Sequence, residues 1–111
     1  MKVENLVNSA KVITLPTSQD ARGSFTKCFH ETTLKKYGIN FTLRESYYSF
    51  SNRDVIRGMH FQLPPFDHGK IVFCPVGAIL DVMVDLRKDS PTYRQPFSYE
   101  LSAENHKALY I

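Results

Sequence analysis

The residues best suited to chemistry lie close together in one apolar stretch, Val55–Gln62. Arg57, His60 and Gln62 interrupt a run that otherwise favours a β-strand. A neutral imidazole, with an unperturbed pKa of about 6.5, can accept a proton at pH 7, and a buried guanidinium needs an anion beside it. The stretch therefore indicates either a histidine base next to a bound anion or a core histidine held by two hydrogen bonds.

The spacing within this stretch sets a geometric condition. Strict β alternation places Arg57 on one face of the strand and His60, with Gln62, on the other. If both charged side chains are to meet one ligand, the strand must carry a bulge or a strong twist near Gly58.

Two more cations lie near residues that favour turns. Lys70 opens the next apolar stretch, so it is either an exposed lysine at a strand edge or a cation directed into the same cavity as His60. Arg22 lies in the loop Asp20–Gly23, where arginine and glycine together can hold a phosphate by charge and close backbone approach. An ordinary turn is the alternative for this loop.

Other polar groups have simpler interpretations. Asp81 and Asp85 share a predicted strand face with Arg87 and are interpreted mainly as structural ion pairs, with a polar cavity as the alternative. Cys28 and Cys74 match no zinc or redox spacing, so we expect reduced structural thiols. No histidine pair has the spacing that begins a metal site, and none is expected.

The elements that must position these residues are mostly strands. Period-2 alternation and regularly spaced Gly and Pro turns predict an all-β protein, a jelly roll or β-sandwich. The predicted strands are Lys11–Leu15, Ser24–His30, Phe41–Phe50, Val55–Gln62, Lys70–Pro75, Ala78–Arg87, Phe97–Leu101 and Lys107–Ile111, and the one helical turn is Glu31–Tyr37. Alternation in Ala78–Arg87 gives an apolar face made of Leu80, Val82, Val84 and Leu86.

Length and composition limit the function classes. The chain has 111 residues, 42% hydrophobic and 23% charged, which is typical of one globular domain, residues 1–111. It has no apolar run of membrane-helix length and no signal-peptide pattern, so the prediction is a cytoplasmic protein without a membrane partner. A net charge of +3 from scattered basic residues favours a mildly basic protein, or one with a small anionic ligand, over a nucleic-acid binder. The apolar strand at Ala108–Ile111 predicts a further neighbour, from missing sequence or from another chain.

Several segments together resemble the dTDP-4-dehydrorhamnose 3,5-epimerase family. They are Asp20–Phe25, Val55–Gln62 and Asp81–Tyr93, with Lys70 before the third and Leu101–Asn105 after it. The resemblance implies a cupin-like jelly roll, incomplete at the C-terminus, and a homodimer in which an N-terminal strand joins the partner's sheet. It also implies a nucleotide-linked 4-keto-6-deoxyhexose as substrate, and no metal or organic cofactor.

The resemblance also implies a role for each matched position. His60 is the base that removes the proton beside the C4 ketone, Lys70 stabilises the enolate oxygen, and Arg22 and Arg57 hold the diphosphate. Proton removal next to a carbonyl does need a base and an oxyanion stabiliser acting together. The substrate-binding positions are Arg22, Phe25, Lys27, Glu45, Tyr47, Arg57 and Gln62.

The sequence departs from the family pattern at the nucleotide and sugar contacts. Lys27 stands where the family has a glutamate that reads the nucleotide, and Glu45 and Tyr47 replace a Gln-x-Asn pattern. The resemblance further implies that the general-acid tyrosine, and the aspartate that orients His60, follow the equivalent of Ile111. We therefore expect the N-terminal portion of an NDP-4-keto-6-deoxysugar epimerase. The alternatives are a single-carbon epimerase or 3,4-ketoisomerase, and a catalytically inactive nucleotide-sugar-binding or assembly module.

Overall fold

Eight strands and one short helix make up the regular structure of the described residues, 1–7 and 9–111, in a computed structural model. The strands are β1 Lys2–Val7, β2 Ala10–Thr14, β3 Thr17–Asp20, β4 Gly23–Thr26, β5 Ile71–Phe73, β6 Ala78–Val84, β7 Pro96–Ser102 and β8 Lys107–Tyr110, and the helix is α1 Glu31–Lys36. The predicted all-β class is therefore confirmed.

An antiparallel sheet of order β1-β2-β8-β5 is the centre of the fold. On β2, the neighbouring residues Val12 and Ile13 point to opposite faces, and their exposed fractions are only 4% and 1%. Both faces of the sheet are therefore covered. The predicted strand at Lys11–Leu15 is confirmed one residue earlier, and those at Lys70–Pro75 and Lys107–Ile111 are confirmed with shorter bounds.

The helix covers one face of this sheet. Leu34 and Ile39 pack with Ile13 and other buried residues in a first hydrophobic cluster. His30 caps the helix, since its ring Nδ1 accepts a hydrogen bond from the Thr33 N–H at 3.2 Å. The predicted helical turn is confirmed.

The β6–β7 hairpin covers the other face. Met83 and Tyr99 pack against Val12, Leu101 and Leu109 in a second cluster. The alternation predicted for β6 is present, but its apolar face points outward. The exposed fractions on that face are 68% for Leu80, 43% for Val82 and 50% for Leu86.

Two predicted strands are wrong in this structure. Phe41–Phe50 and Val55–Gln62 carry no ladder, and no strand is assigned between α1 and β5. Their residues favour β-structure, but strands form only when a neighbour completes the ladder, and none of the described strands pairs with their backbone.

The predicted turn and strand around residues 17–30 also need correction. The turn is confined to Ala21 and Arg22, so Thr17–Asp20 pairs with Gly23–Thr26 as a hairpin. The strand predicted for Ser24–His30 ends at Thr26. One more backbone hydrogen bond runs from the Lys27 N–H to the Pro16 carbonyl at 3.0 Å, but Pro16 has no N–H with which to continue the ladder.

Candidate functional site

Lys70 is fixed at the start of β5 by its backbone. Its N–H donates to the Ile111 carbonyl at 2.7 Å, and the Ile111 N–H donates back to the Lys70 carbonyl at 3.0 Å. This pair extends the β5–β8 register by one residue, so half-buried Lys70 shares a strand face with Val72. Val72 packs in the second cluster. Lys70 therefore lies on the face of β5 that turns toward the space between the sheet and the β6–β7 hairpin.

Asp81 faces the same space from the hairpin. It pairs with Tyr99 across the ladder and shares a strand face with Met83, and both neighbours pack in the second cluster. Burial raises the pKa of the Asp81 carboxyl. Within residues 1–7 and 9–111, its carboxylate has no hydrogen bond or ion pair. A half-buried carboxylate without a partner is a candidate for a functional site. From the sequence, Asp81 was expected mainly in an ion pair, with a place in a polar cavity as the alternative.

Asp85 is the structural partner that the sequence predicted for Arg87. Its carboxylate accepts from Arg87 Nε at 2.9 Å and from Thr92 Oγ1 at 2.8 Å, and also from the Ser90 hydroxyl. These donors hold the pKa of the Asp85 carboxyl well below its usual range. Arg87 Nη1 also donates to Ser9 Oγ at 2.7 Å, which ties the loop after β6 to the β1–β2 turn. Two aspartates four residues apart therefore have different roles.

His60 lies in the segment without a ladder. It is exposed and flanked by Met59 and Phe61, whose exposed fractions are 61% and 62%. No hydrogen bond to the imidazole is formed by the described part of the chain, so nothing there sets its tautomer. Gly58 has a φ of 133°, so regular β alternation is broken there. This is the position at which a break is needed if Arg57 and His60 are to face one ligand.

Arg57 is held by its own loop. Its Nε donates to Ser51 Oγ at 2.9 Å, and its Nη2 donates to the Phe50 carbonyl at 3.3 Å. A guanidinium has five N–H donors, so this arrangement leaves donors for an anion.

Arg22 lies at the tip of the β3–β4 hairpin. Its Nε and Nη2 donate to the Asp20 carboxylate, with the shortest contact at 2.6 Å from Nη2 to Oδ2. This ion pair raises the pKa of Arg22 and lowers that of Asp20. An open cavity of about 360 Å³ is lined by Ser18, Asp20, Arg22, Gly23, Ser24 and Phe25. The Phe25 side chain, which is 66% exposed, lines the same cavity.

The other predicted binding residues are all exposed. They are Lys27, Glu45, Tyr47 and Gln62. Within the described ranges, no hydrogen bond or ion pair joins any two of the nine predicted site residues. Strand register turns both Lys70 and Asp81 toward the second cluster, whereas Arg22, Arg57 and His60 are exposed.

A second cavity contains none of these residues but shares the lining residue Ser24 with the cavity at Arg22. It has a volume of about 210 Å³, and Cys28, Cys74, His106 and Lys107 are among its lining residues. Both cysteines are free thiols. Within the part of the chain that the structure describes, no group of three His, Cys, Asp or Glu side chains could hold a metal ion.

The whole chain is similar to one family of sugar-nucleotide enzymes. The family model for dTDP-4-dehydrorhamnose 3,5-epimerase matches residues 4–111. A dTDP-4-dehydrorhamnose 3,5-epimerase from Salmonella typhimurium is 41% identical over 93 residues, which cover 83% of this chain and 51% of the relative.

Solved structures give the same result. The dTDP-4-dehydrorhamnose 3,5-epimerase of Bacillus anthracis, with TDP and PPi bound, has a TM-score of 0.94 and 39% identity over 99% of this chain and 64% of its own. A 3′-monoepimerase from Streptomyces bikiniensis, in complex with dTDP-quinovose, has a TM-score of 0.86 and 28% identity over 95% of this chain and 54% of its own.

These likenesses confirm the predicted resemblance and the cupin-like jelly roll. The chain spans about half the length of the curated relatives it matches. Among the described helices, none is long and apolar enough to cross a membrane.

Proposed function

The chain belongs to the dTDP-4-dehydrorhamnose 3,5-epimerase family, and we propose that it carries the base, the enolate-stabilising cation and the phosphate-binding arginines of a nucleotide-sugar epimerase. The proposed substrate is an NDP-4-keto-6-deoxyhexose. The observation that carries the proposal is the family match over residues 4–111, which includes every predicted site residue.

His60 and Lys70 divide the proposed chemistry. The neutral imidazole of His60 takes the proton from the carbon next to the C4 ketone. The electron pair of that C–H bond forms a carbon–carbon double bond, and negative charge moves to the C4 oxygen. The Lys70 ammonium stabilises this oxygen, an interaction worth about a hundredfold or more in rate when the donor is well placed. Return of a proton to the opposite face, from an acid that this proposal places outside the 111 residues, inverts the carbon.

The other residues bind the nucleotide in this proposal. Arg57 keeps free donors for the diphosphate. Arg22 and the aromatic Phe25 line one open cavity, which suits a phosphate next to a stacked base. The remaining contacts to base and sugar are assigned to Lys27, Glu45, Tyr47 and Gln62.

A homodimer belongs to the same proposal. β1 lies at the edge of its sheet and pairs with β2 of its own chain, so one of its backbone edges is open to a second copy. Strand exchange would release β1 from β2 and pair it in the partner's sheet instead.

Two alternatives have support. Similarity to a 3′-monoepimerase favours inversion at a single carbon. The exposed, unpaired setting of His60 favours an inactive nucleotide-sugar-binding or assembly module.

Deuterium exchange distinguishes these functions. The chain is incubated with dTDP-4-keto-6-deoxyglucose in heavy water, and label at C3 and C5 is located by NMR. Label at both carbons supports the 3,5-epimerase, and label at one carbon supports the single-carbon enzyme. Calorimetric binding of dTDP without any label supports the binding module and contradicts catalysis by this chain.

A further inference from the structure

Strand β4 and the residues that follow it have two different faces. Thr26 and Cys28 line the cavity of about 210 Å³, and Cys28 also packs against the first cluster. Phe25 and Lys27 alternate with them and are exposed on the opposite face. The hairpin register continues to Lys27, whose N–H donates to the Pro16 carbonyl at 3.0 Å. The Phe25 and Lys27 side chains therefore share one open face, about 7 Å apart along the strand.

This open face presents a hydrogen-bond donor without a partner. Among residues 1–7 and 9–111, the Lys27 ammonium forms no hydrogen bond or ion pair. The Asp20 carboxylate, which lines the cavity beside Phe25, is occupied, since its Oδ1 accepts from the Arg22 backbone N–H at 2.8 Å and its Oδ2 from Arg22 Nη2 at 2.6 Å. A lysine has three N–H donors and no acceptor. A ligand on this face therefore gains most from an acceptor that meets Lys27.

Stacking on Phe25 does not by itself select one base. Every nucleobase has a flat π-face, so an aromatic ring accepts all of them. Selection then depends on the group that meets the edge of the base, and Lys27, two residues along the strand on a flexible four-carbon stem, is placed to reach that edge. This step rests on the proposed function, which places the nucleotide on this face.

The edges of the bases differ in what they offer to an ammonium group. Guanine presents two adjacent acceptors, N7 and O6, to which lysine commonly donates. Cytosine also presents two adjacent acceptors, N3 and O2. Thymine has an N3–H donor between its two carbonyl oxygens, and adenine has an amino group beside N1 and N7. An ammonium group on either of these edges meets one acceptor and faces a neighbouring N–H.

We propose that Lys27 is a specificity-determining residue, which directs this chain toward nucleotide sugars whose base presents two adjacent acceptors, guanine or cytosine, in preference to thymine. The Lys27 ammonium donates to both acceptors of such a base while the ring stacks on Phe25. The diphosphate contacts are the same for every base. The inference concerns the base alone and leaves the proposed proton transfer unchanged.

Calorimetry with dGDP, dCDP, dTDP and dADP tests this preference, because these four ligands differ only in the base. We expect the tighter of dGDP and dCDP to bind the 111-residue chain at least about tenfold more tightly than dTDP or dADP, since a contact to two acceptors discriminates on that scale. The tighter of the two identifies the base. The readout is a ratio of dissociation constants, so that the diphosphate contribution cancels.

Two substitutions at this exposed position, where the fold tolerates change, assign the preference to Lys27. Lys27→Met keeps a long side chain without a donor, and it should bring the ratio to within about twofold of one. Lys27→Glu supplies an acceptor for the thymine N3–H and should reverse the preference in favour of dTDP. Lys88→Glu, at an exposed position after β6, makes the same charge change elsewhere and should leave the ratio unchanged.

Two outcomes overturn this inference and leave the proposed function standing. One is a parent chain that binds dTDP or dADP at least as tightly as both dGDP and dCDP. The other is a Lys27→Met variant that keeps the base preference of the parent chain. A parent chain that binds none of the four nucleotides contradicts the proposed function as well.

Discussion

Lys70 and Ile111 are joined by two reciprocal backbone hydrogen bonds, of 2.7 and 3.0 Å. The cation proposed to stabilise the enolate is therefore positioned by the residue that follows β8, 41 positions later in the sequence. The pair also fixes which face of β5 carries the Lys70 side chain. Changes that disturb the β5–β8 ladder are expected to move this cation.

The close approach of Gly69 to Tyr110 gives the first prediction. A Cβ at Gly69 would lie 3.0 Å from Tyr110 Cε2 and 3.3 Å from its hydroxyl oxygen. The Tyr110 ring packs edge-on against Phe41, with centroids 6.3 Å apart, so it has little room to yield. Gly69→Ala is expected to lower the free energy of unfolding by about 1–3 kcal/mol, measured by urea denaturation.

The control for Gly69→Ala is a double-mutant cycle with Tyr110→Leu. Leucine at position 110 has no ring edge, so Gly69→Ala should destabilise the Tyr110→Leu variant much less than it destabilises the parent chain. An equal loss in both backgrounds would show that the glycine backbone, and not the ring, sets the cost.

Asp85 gives a pH-dependent prediction. Hydrogen bonds from Arg87, Ser90 and Thr92 lower its pKa in the folded state. Its contribution to stability is therefore complete above the unfolded pKa of about 3.9 and is lost as the pH falls below that value. Asp85→Asn is expected to lower the free energy of unfolding by about 1–3 kcal/mol at pH 7, with a shrinking difference toward pH 2. Asp89→Asn, at an exposed position in the same loop, is the matched control.

Asp81 is expected to give a pH dependence of stability opposite in sign to that of Asp85. Burial raises its pKa in the folded state, so folding binds protons and stability falls as the pH rises through the unfolded pKa of about 3.9. Asp81→Asn removes the cost of holding a charged carboxylate in this half-buried position. The substitution should stabilise the unliganded chain by up to about 1 kcal/mol at pH 7 and have no effect near pH 2. Loss of stability at pH 7 would instead reveal an ion-pair partner for the carboxylate.

The sequence predicted the central strands of the fold well, but it missed β1, which pairs with β2, and β3, which pairs with β4. Val12, Ile13 and Leu109 alternate in strands that have neighbours on both sides, and these strands were found close to their observed bounds. Val55–Gln62 has an equally clear strand pattern but no ladder, because β-propensity describes a residue's fit to a sheet and does not supply the neighbouring strand.

The candidate site was predicted only in part, because a sequence shows residue types and spacing but not which groups become neighbours in space. The types and spacing of Arg57 and His60 suggested chemistry, and the family resemblance assigned their roles. The difference between Asp81 and Asp85 was not visible, because both lie on one strand face. Only the positions of the Arg87 guanidinium and of the Ser90 and Thr92 hydroxyls show that Asp85 is satisfied and Asp81 is not.

Arg57 gives a binding prediction with a control inside its own loop. Arg57→Ala removes the proposed diphosphate contact and also the hydrogen bonds to Ser51 and to the Phe50 carbonyl. Ser51→Ala removes only the side-chain bond. Calorimetry with dTDP should show at least about tenfold weaker binding for Arg57→Ala and little change for Ser51→Ala. Equal losses in the two variants would assign Arg57 to loop structure.

The role of His60 is tested by exchange of the proton next to the ketone of dTDP-4-keto-6-deoxyglucose in heavy water. His60→Asn keeps a hydrogen-bonding side chain of similar size but cannot act as a base at neutral pH. Exchange should fall by at least about a hundredfold, whereas dTDP binding should stay within a few-fold of that of the parent protein. His68→Asn, which changes another exposed histidine eight residues later, should leave exchange unchanged. If His60→Asn and the parent protein exchange at the same rate, the base is another group. If dTDP binding is lost together with exchange, His60 shapes the nucleotide site and its assignment as the base is withdrawn.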